Sequence, residues 1–210
     1  KIILTGRSTP SEQQLQWIAD LENKGAELLY IQADVSQHAQ VIDLIKRVKQ
    51  HFSAIHGIIH AAGVTKDGLI VNKTTTSAQT VLAPKIQGTR SLHQATCTEP
   101  LDFFVLFSSV ASVFGNAGQS DYAYANGFMD GFAQEREQER AQGGCFGHTL
   151  SINWPLWEEG GLKLAPAYRQ QLKKNLGIDS LTTIQGVEAF VQALEYGITN
   201  CLVLPGNQQK

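Results

Sequence analysis

Short apolar segments alternate with longer segments of helical periodicity along almost all of this 210-residue chain. The strand candidates are 1–5, 28–33, 55–61, 102–108, 148–153 and 201–204. The helix candidates are 11–24, 37–52, 75–96, 121–142, 164–175 and 184–196. Apolar strands this short, separated by helices of this length, indicate parallel βαβ units. We therefore predict a single α/β domain over residues 1–210, with a Rossmann-type doubly wound parallel sheet and helices on both faces.

Composition argues against several other classes of protein. The formal net charge of −2 argues against a general nucleic-acid binder. No apolar run reaches the roughly 18 residues that a membrane span needs, and no signal-peptide pattern opens the chain. The three cysteines form no CxxC pair, which argues against a zinc site or a disulfide framework. We predict a cytoplasmic protein without a metal site, a nucleic-acid partner or a membrane partner.

The opening residues indicate a fold that lacks its first unit. The chain begins at Lys1 inside an apolar run, and its one methionine is Met129. The first strand candidate leads into Thr5-Gly6-Arg7-Ser8, and the chain contains no GxGxxG. That pattern is typical of the second strand of a dinucleotide-binding sheet. We expect the chain to be an N-terminally truncated fragment of a larger multidomain protein, without the first β-α unit of the sheet.

The residues with the clearest chemistry lie between 107 and 135. Ser109 ends an apolar strand, and Tyr122 stands near the start of the next helix. Asn126 follows Tyr122 by four positions, so a helix places both on one face. A hydroxyl, a phenol and an amide around one pocket suit protonation of an oxygen that gains negative charge. Lys85, in the preceding long helix, favours the phenolate if it lies near Tyr122, although most helix lysines are solvated.

Three strand ends carry candidates for nucleotide binding. Arg7 follows the first strand, where a guanidinium suits a 2′-phosphate, and a solvated loop arginine is an equal alternative. Asp34 follows the second strand and either accepts a hydrogen bond from an adenine amino group or only begins the next helix. The run His60-Ala61-Ala62-Gly63 ends the third strand with small residues that let a flat cofactor approach. For His60 itself we favour a satisfied core histidine.

Two later motifs have competing interpretations. Asn153-Trp154-Pro155-Leu156-Trp157, followed by Gly160-Gly161, suggests a loop that closes over a pocket, and local aromatic packing is the alternative. Gly177-Ile178-Asp179-Ser180-Leu181 matches the pattern around the phosphopantetheine serine of acyl carrier proteins. Carrier domains are small helical bundles, so in this α/β chain Ser180 fits better as an N-terminal residue of the last helix.

Taken in order, these motifs resemble the ketoreductase domains of modular polyketide synthases, within the short-chain dehydrogenase/reductase superfamily. The resemblance extends over nearly the whole chain, and its specific part is the spacing of 24, 13 and four residues between Lys85, Ser109, Tyr122 and Asn126. Most short-chain reductases have lysine four residues after the tyrosine. Here that position is Asn126, and Lys85 lies on the preceding helix, as in the swapped arrangement of these ketoreductases.

The resemblance implies a reaction and a role for each residue. NADPH delivers a hydride to the β-carbonyl of an acyl chain held on the phosphopantetheine of an acyl carrier protein. Tyr122 donates the proton, Ser109 hydrogen-bonds the carbonyl oxygen, and Lys85 and Asn126 organise the tyrosine, the ribose and the proton relay. The remaining implied cofactor contacts come from Arg7, Ser8, Asp34, Val35, Ala61, Ala62, Gly63 and Pro155. An N-terminal structural half of the same ketoreductase is also implied.

The resemblance also implies a product configuration. An aspartate in an LDD motif marks the B-type, which gives a D-configured hydroxyl, and here Thr65-Lys66-Asp67 retains only Asp67. The tryptophan that marks the A-type falls eight residues before Tyr122, where this chain has Phe114. Both positions favour the B-type, and Gln119 and Trp157 complete the implied substrate-facing set.

Two other functions remain open from sequence. One is a catalytically silent domain kept for scaffolding, which the intact Lys85, Ser109, Tyr122 and Asn126 argue against. The other is a short-chain dehydrogenase acting on a free small carbonyl compound, which the swapped lysine argues against.

Overall fold

The computed structural model describes residues 1–160 and 179–206. The strands in this part of the chain are β1 (Ile2–Gly6), β2 (Leu28–Gln32), β3 (Gly57–His60), β4 (Phe103–Ser109), β5 (His148–Trp154) and β6 (Asn200–Leu202). The α-helices are α1 (Glu12–Asn23), α2 (His38–Phe52), α3 (Thr75–Thr96), α4 (Ala111–Phe114), α5 (Ser120–Ala141) and α6 (Thr183–Glu195). A short 3-10 helix spans Ile70–Asn72.

The predicted alternation of strands and helices is confirmed. Every strand candidate is present, and each helix candidate within the described residues is present, with ends that differ by at most two positions. Candidate helix 164–175 lies outside the described residues. The 3-10 helix and α4 were not predicted, because a single turn is too short to show periodicity.

The strands are all parallel and form two groups. β1 pairs with β2, and β3, β4, β5 and β6 pair in that order. Within the described residues, β1 and β3 each have one partner strand and are not hydrogen-bonded to each other. The sheet therefore divides between β1 and β3, where the sequence predicts that the first β-α unit is lacking.

The centre of the core is the β4–β5 pair with α5 packed on it. Phe104, Val105 and Leu106 in β4 have no exposed surface. In α5 the inward positions include Ala125 and Ala133, whose small side chains let the helix approach the sheet closely. This close packing fixes α5, which carries the candidate catalytic residues, against β4. No helix in the described part of the chain is long and apolar enough to cross a membrane.

Candidate active site

Parallel strands bring the candidate residues to one edge of the sheet. The register pairs His60 with Leu106 and Ser109 with Trp154, so the carboxyl ends of β3, β4 and β5 are adjacent. In open parallel sheets, ligands bind in the crevice outside the carboxyl ends of the strands.

Ser109, Tyr122 and Asn126 converge at this edge. The side chains of Ser109 and Asn126 lie close enough to the Tyr122 phenol for both to lower its pKa. Asn126 is fully buried, and its Nδ2 donates to the Tyr122 carbonyl oxygen at 2.7 Å. Its Oδ1 is buried without a partner among the described residues. Because buried polar atoms are nearly always hydrogen-bonded, that oxygen is available to a group that binds here.

Lys85 lies beside Tyr122 and is not a solvated helix lysine. Its side chain is buried, with 3% of the residue exposed, and its Nζ is 5.8 Å from the centroid of the Tyr122 ring. The Nζ donates to the Phe107 carbonyl oxygen at 2.8 Å and contacts the Met129 sulfur. A Cβ on Gly63 would lie 3.0 Å from the Lys85 Cε, so only glycine gives the lysine full room there.

The pKa values of Lys85 and Tyr122 are shifted in opposite directions. Burial lowers the pKa of Lys85 to about 8, although the nearby Asp130 carboxylate acts to raise it. Burial raises the pKa of Tyr122, an effect that the nearby side chains of Ser109 and Asn126 oppose. Burial penalises the charged form of each group, which leaves a neutral phenol beside an amine that titrates near neutral pH.

The sequence analysis missed a polar network behind Ser109. Asp130 accepts hydrogen bonds from Ser112 at 2.7 Å and from Asn153 at 2.8 Å on one oxygen, and from Ser151 at 2.6 Å on the other. The Ser109 carbonyl oxygen also lies within hydrogen-bond distance of the Ser112 hydroxyl, at 2.8 Å, and of the Asn153 amide nitrogen, at 3.4 Å, so the Ser112 proton is shared between this oxygen and Asp130. The network thus fixes the backbone that carries the Ser109 hydroxyl. The signal was available, since Asp130 follows Asn126 by four residues on the same helix face.

Of the residues with implied stereocontrol, Asp67 and Gln119 lie beside Tyr122. Gln119 is buried, and its Nε2 donates to Asp67 Oδ1 at 3.0 Å. The Asp67 carboxylate is close enough to act on the Tyr122 phenol and contributes to raising its pKa. Phe114 ends α4 and is 55% exposed.

Arg7 and Ser8 follow β1 and are exposed. Their backbone oxygens accept hydrogen bonds from Gln32 and Tyr30, which fixes the turn. The Arg7 guanidinium has no ion pair within the described residues, so it is free to meet a phosphate. Asp34 Oδ1 accepts hydrogen bonds from both the backbone and the hydroxyl of Ser36, so this carboxylate does organise the approach to α2.

The small residues after β3 leave the site open to a flat ligand. Ala61 and Gly63 are exposed, and Ala62 packs at the edge of the core. Val35 is buried against α3 at Gly88. His60 is the satisfied core histidine that we favoured: it is buried, its Nε2 donates to the Pro84 carbonyl oxygen at 3.0 Å, and burial lowers its pKa to about 3.

The segment after β5 is held by aromatic packing. Pro155 is buried, and the Trp157 ring meets Trp154 edge-on with centroids 4.9 Å apart. The same ring covers Gly186 in α6, where a Cβ would clash. Ser180 precedes α6, which begins at Thr183 with Thr182 as its N-cap, so the expectation that Ser180 belongs to the helix N-terminus is wrong by three positions.

Comparison with known proteins identifies the family. A family model described as the KR domain matches residues 1–159. The chain belongs to the KR-domain family. KR domains are oxidoreductases of the short-chain dehydrogenase/reductase superfamily and bind a nicotinamide cofactor. The resemblance found in the sequence is thereby confirmed.

The relatives of this KR domain are segments of much longer proteins. It is 39% identical over 209 residues to polyketide synthase PksN of Bacillus subtilis (strain 168), covering 100% of this chain and 4% of PksN. It is 40% identical over 208 residues to polyketide synthase ThaG of Burkholderia thailandensis, again covering 4% of the relative.

Solved structures agree with this assignment. A ketoreductase domain from the bacillaene assembly line superposes with a TM-score of 0.96 at 41% identity, covering 99% of this chain and 50% of that one. An N-terminal ketoreductase from the macrolactin assembly line gives a TM-score of 0.87 at 44% identity, covering 99% and 40%. The chain thus spans half or less of these ketoreductase chains.

Part of the site fits a nicotinamide cofactor. The unpartnered Asn126 Oδ1, the buried Lys85 ammonium and the open turn at Ala61–Gly63 lie at one sheet edge. Together they offer an acceptor, a donor and a flat approach to a polar ring and its ribose.

Proposed function

We propose that this KR domain carries out the NADPH-dependent reduction of a β-ketoacyl thioester, held on an acyl carrier protein, to the β-hydroxyacyl form during polyketide biosynthesis. The observation that carries this proposal is the grouping around Tyr122: the buried Lys85 Nζ is 5.8 Å from its ring centroid, Asn126 is hydrogen-bonded to its carbonyl oxygen, and Ser109 and Asn126 both lower the pKa of its phenol. This is the arrangement needed to protonate an oxygen that becomes an alkoxide.

Each of the four residues has its own role in protonating the substrate oxygen. The nicotinamide cofactor supplies the hydride. Ser109 donates a hydrogen bond to the substrate oxygen, and Tyr122 transfers its phenolic proton to that oxygen as charge develops. The Lys85 ammonium stabilises the phenolate, and its pKa of about 8 lets it hold a proton near neutral pH. Asn126 orients the phenol and keeps Oδ1 available for the relay.

Arg7 supports the choice of NADPH over NADH. Its guanidinium is exposed after β1 and is free of ion pairs within the described residues. A planar guanidinium suits a phosphate dianion, and NADH lacks the 2′-phosphate. The other proposed cofactor contacts are those of Ser8, Asp34, Val35, Ala61, Ala62, Gly63 and Pro155.

We propose the B-type, with a D-configured hydroxyl product. Asp67 lies close to Tyr122 and accepts a bond from Gln119, whereas the A-type tryptophan position is Phe114. Chiral chromatography of the reduced thioester tests this assignment, and an L-hydroxyl product would refute it.

The divided sheet supports a further part of the proposal. β1 and β3 each present one strand edge without a partner in the described residues. We propose that the parent polypeptide, a cytoplasmic multidomain synthase, supplies a strand and a glycine-rich turn between them, together with an N-terminal structural half. Purified residues 1–210 should then bind NADPH weakly. Tight binding by a stable monomer of this chain would contradict this expectation.

The decisive assay follows NADPH oxidation by the parent polypeptide with a β-ketoacyl thioester. We expect Tyr122→Phe to abolish most of the activity and Tyr124→Phe, which alters an exposed tyrosine of the same helix, to retain it. An inactive wild-type protein would point to a silent scaffolding domain. A strong preference for a free carbonyl compound would point to a dehydrogenase of small molecules.

A further inference from the structure

Lys73 and Asp121 form a buried ion pair beside the site. The Lys73 Nζ is 2.8 Å from Asp121 Oδ1, and it donates a hydrogen bond to Oδ2 at 2.9 Å. The two side chains are 8% and 5% exposed. Among the ion pairs of the described residues, this is the one in which both side chains are less than a tenth exposed.

The pair links two segments that meet at Tyr122. Lys73 also donates to the Lys66 carbonyl oxygen at 2.7 Å, which closes the segment 66–73, hereafter loop 66–73, on itself. Asp121 lies in the first turn of α5, and its Oδ1 accepts a hydrogen bond from the Tyr122 backbone N–H at 2.9 Å. A carboxylate there is favoured by the helix dipole. One ion pair therefore connects the loop to the backbone of the proton donor.

Two further hydrogen bonds hold loop 66–73 against the residues just before α5. The Gln119 amide donates to Asp67 at 3.0 Å, and the Gly68 N–H donates to the Gly118 carbonyl oxygen at 2.9 Å. Gly118 has a φ of +82°, and a Cβ there would lie 3.4 Å from the Gly68 backbone. The loop thus contacts residues 118–121 at three points, two before α5 and one in its first turn.

Apolar burial does not hold this loop. Leu69, Ile70 and Val71 are 61%, 73% and 83% exposed. With so little apolar surface removed from water, the polar contacts decide where the loop lies. A buried ion pair adds little net stability over apolar residues of similar size, but separating its partners leaves an uncompensated buried charge, which is strongly destabilising.

We propose that the Lys73–Asp121 ion pair is a positioning element that fixes loop 66–73, and with it Asp67, relative to Tyr122, and thereby determines which face of the substrate carbonyl is reduced. This inference rests on the proposed ketoreduction. Lys73 and Asp121 act through Asp67 and the loop backbone, and neither is assigned to the reacting atoms.

The test measures product configuration and stability together in the parent polypeptide. The variants are Lys73→Met, Asp121→Asn and the double variant, assayed with a β-ketopentanoyl N-acetylcysteamine thioester and NADPH. We expect each single variant to change the ratio of the two enantiomers by about tenfold and to lower the melting temperature. The double variant removes the unpaired buried charge, so it should regain thermal stability without regaining selectivity.

Two controls distinguish an effect on the position of loop 66–73 from a general loss of stability. Lys49→Met and Glu99→Gln break another ion pair, between α2 and the connection after α3, with an Nζ–Oε1 distance of 2.7 Å, and should leave the enantiomer ratio unchanged. Asp121→Glu keeps the charge and should retain most of the selectivity. If selectivity recovers with stability in the double variant, or never changes, the proposal is overturned.

Amide hydrogen exchange tests whether the Lys73–Asp121 ion pair fixes loop 66–73, and it does not depend on catalytic activity. Exchange at residues 66–72 should be faster in Asp121→Asn than in the wild type and unchanged in Glu99→Gln. Unchanged exchange in Asp121→Asn would overturn the inference even in an active enzyme. If the wild type is inactive but exchange is faster in the variant, the ion pair still fixes loop 66–73, and the result counts against the proposed reaction instead.

Discussion

The strand pair β1–β2 and the four-stranded sheet β3–β6 differ in how they hold their candidate residues. In β3–β6 and its helices, Lys85, Tyr122 and Asn126 are buried, and Lys85 and Asn126 are hydrogen-bonded to β4. Beside β1, Arg7 is exposed, and α1 contains no buried residue. The groups that we propose for protonation are therefore preorganised by the described residues themselves, whereas the proposed nucleotide-binding side offers exposed groups.

Replacing a serine by alanine should affect kcat in one region and stability in the other, and the loss of kcat is the largest effect that we expect. Ser109→Ala removes a donor to the developing alkoxide and should lower kcat by about 10²–10³, with little change in stability. Ser11→Ala removes the capping box of α1 and should lower the free energy of unfolding by about 1 kcal/mol, with kcat unchanged. Steady-state kinetics and urea denaturation of both variants provide the measurements. Equal kcat values would abolish the distinction between the regions.

Lys85→Met tests whether burial of the lysine serves the chemistry. We expect kcat to fall by about 10². In the wild type, kcat for reduction should decline above about pH 8 as Lys85 loses its proton, because its pKa is lowered to about 8. The variant should lose this alkaline limb. Arg90→Met, on the exposed side of α3, serves as the control and should keep the wild-type pH profile.

Arg7→Gln tests the exposed region directly. We expect kcat/KM with NADPH to fall by about 10- to 100-fold, since a charged hydrogen bond to the 2′-phosphate is lost, and kcat/KM with NADH to change little. Arg47→Gln, an exposed arginine of α2, should alter neither value. A parallel loss with both cofactors would remove Arg7 from the 2′-phosphate site.

His60 provides a test that leaves catalysis aside, through stability at acid pH. Its pKa is lowered to about 3 in the folded protein, against 6.5 in the unfolded chain, so the unfolded state binds the proton first as pH falls. The free energy of unfolding should therefore decrease by about 1.4 kcal/mol per pH unit between about pH 6 and 3. His60→Gln should flatten this slope relative to the wild type, and the exposed His38→Gln should not. Matching slopes in all three proteins would show that His60 does not stay neutral in the fold.

The sequence by itself determined the elements and the identity of the catalytic candidates. Apolar periodicity is a local property, so it located the six strands and the five long helices of the described residues to within two residues, but not α4 or the 3-10 helix. The four-residue spacing of Tyr122 and Asn126 fixed their shared helix face. For Lys85, periodicity alone favoured a solvated lysine, and only the family resemblance assigned it a role.

The tertiary structure alone decided which distant groups meet. The burial of Lys85 depends on β4 and α5, and the Asp130 network joins residues from α4, α5 and β5. The Lys73–Asp121 ion pair joins residues 48 positions apart. Such contacts arise from the packing of separate elements, and no local pattern in one sequence encodes the distance between two elements.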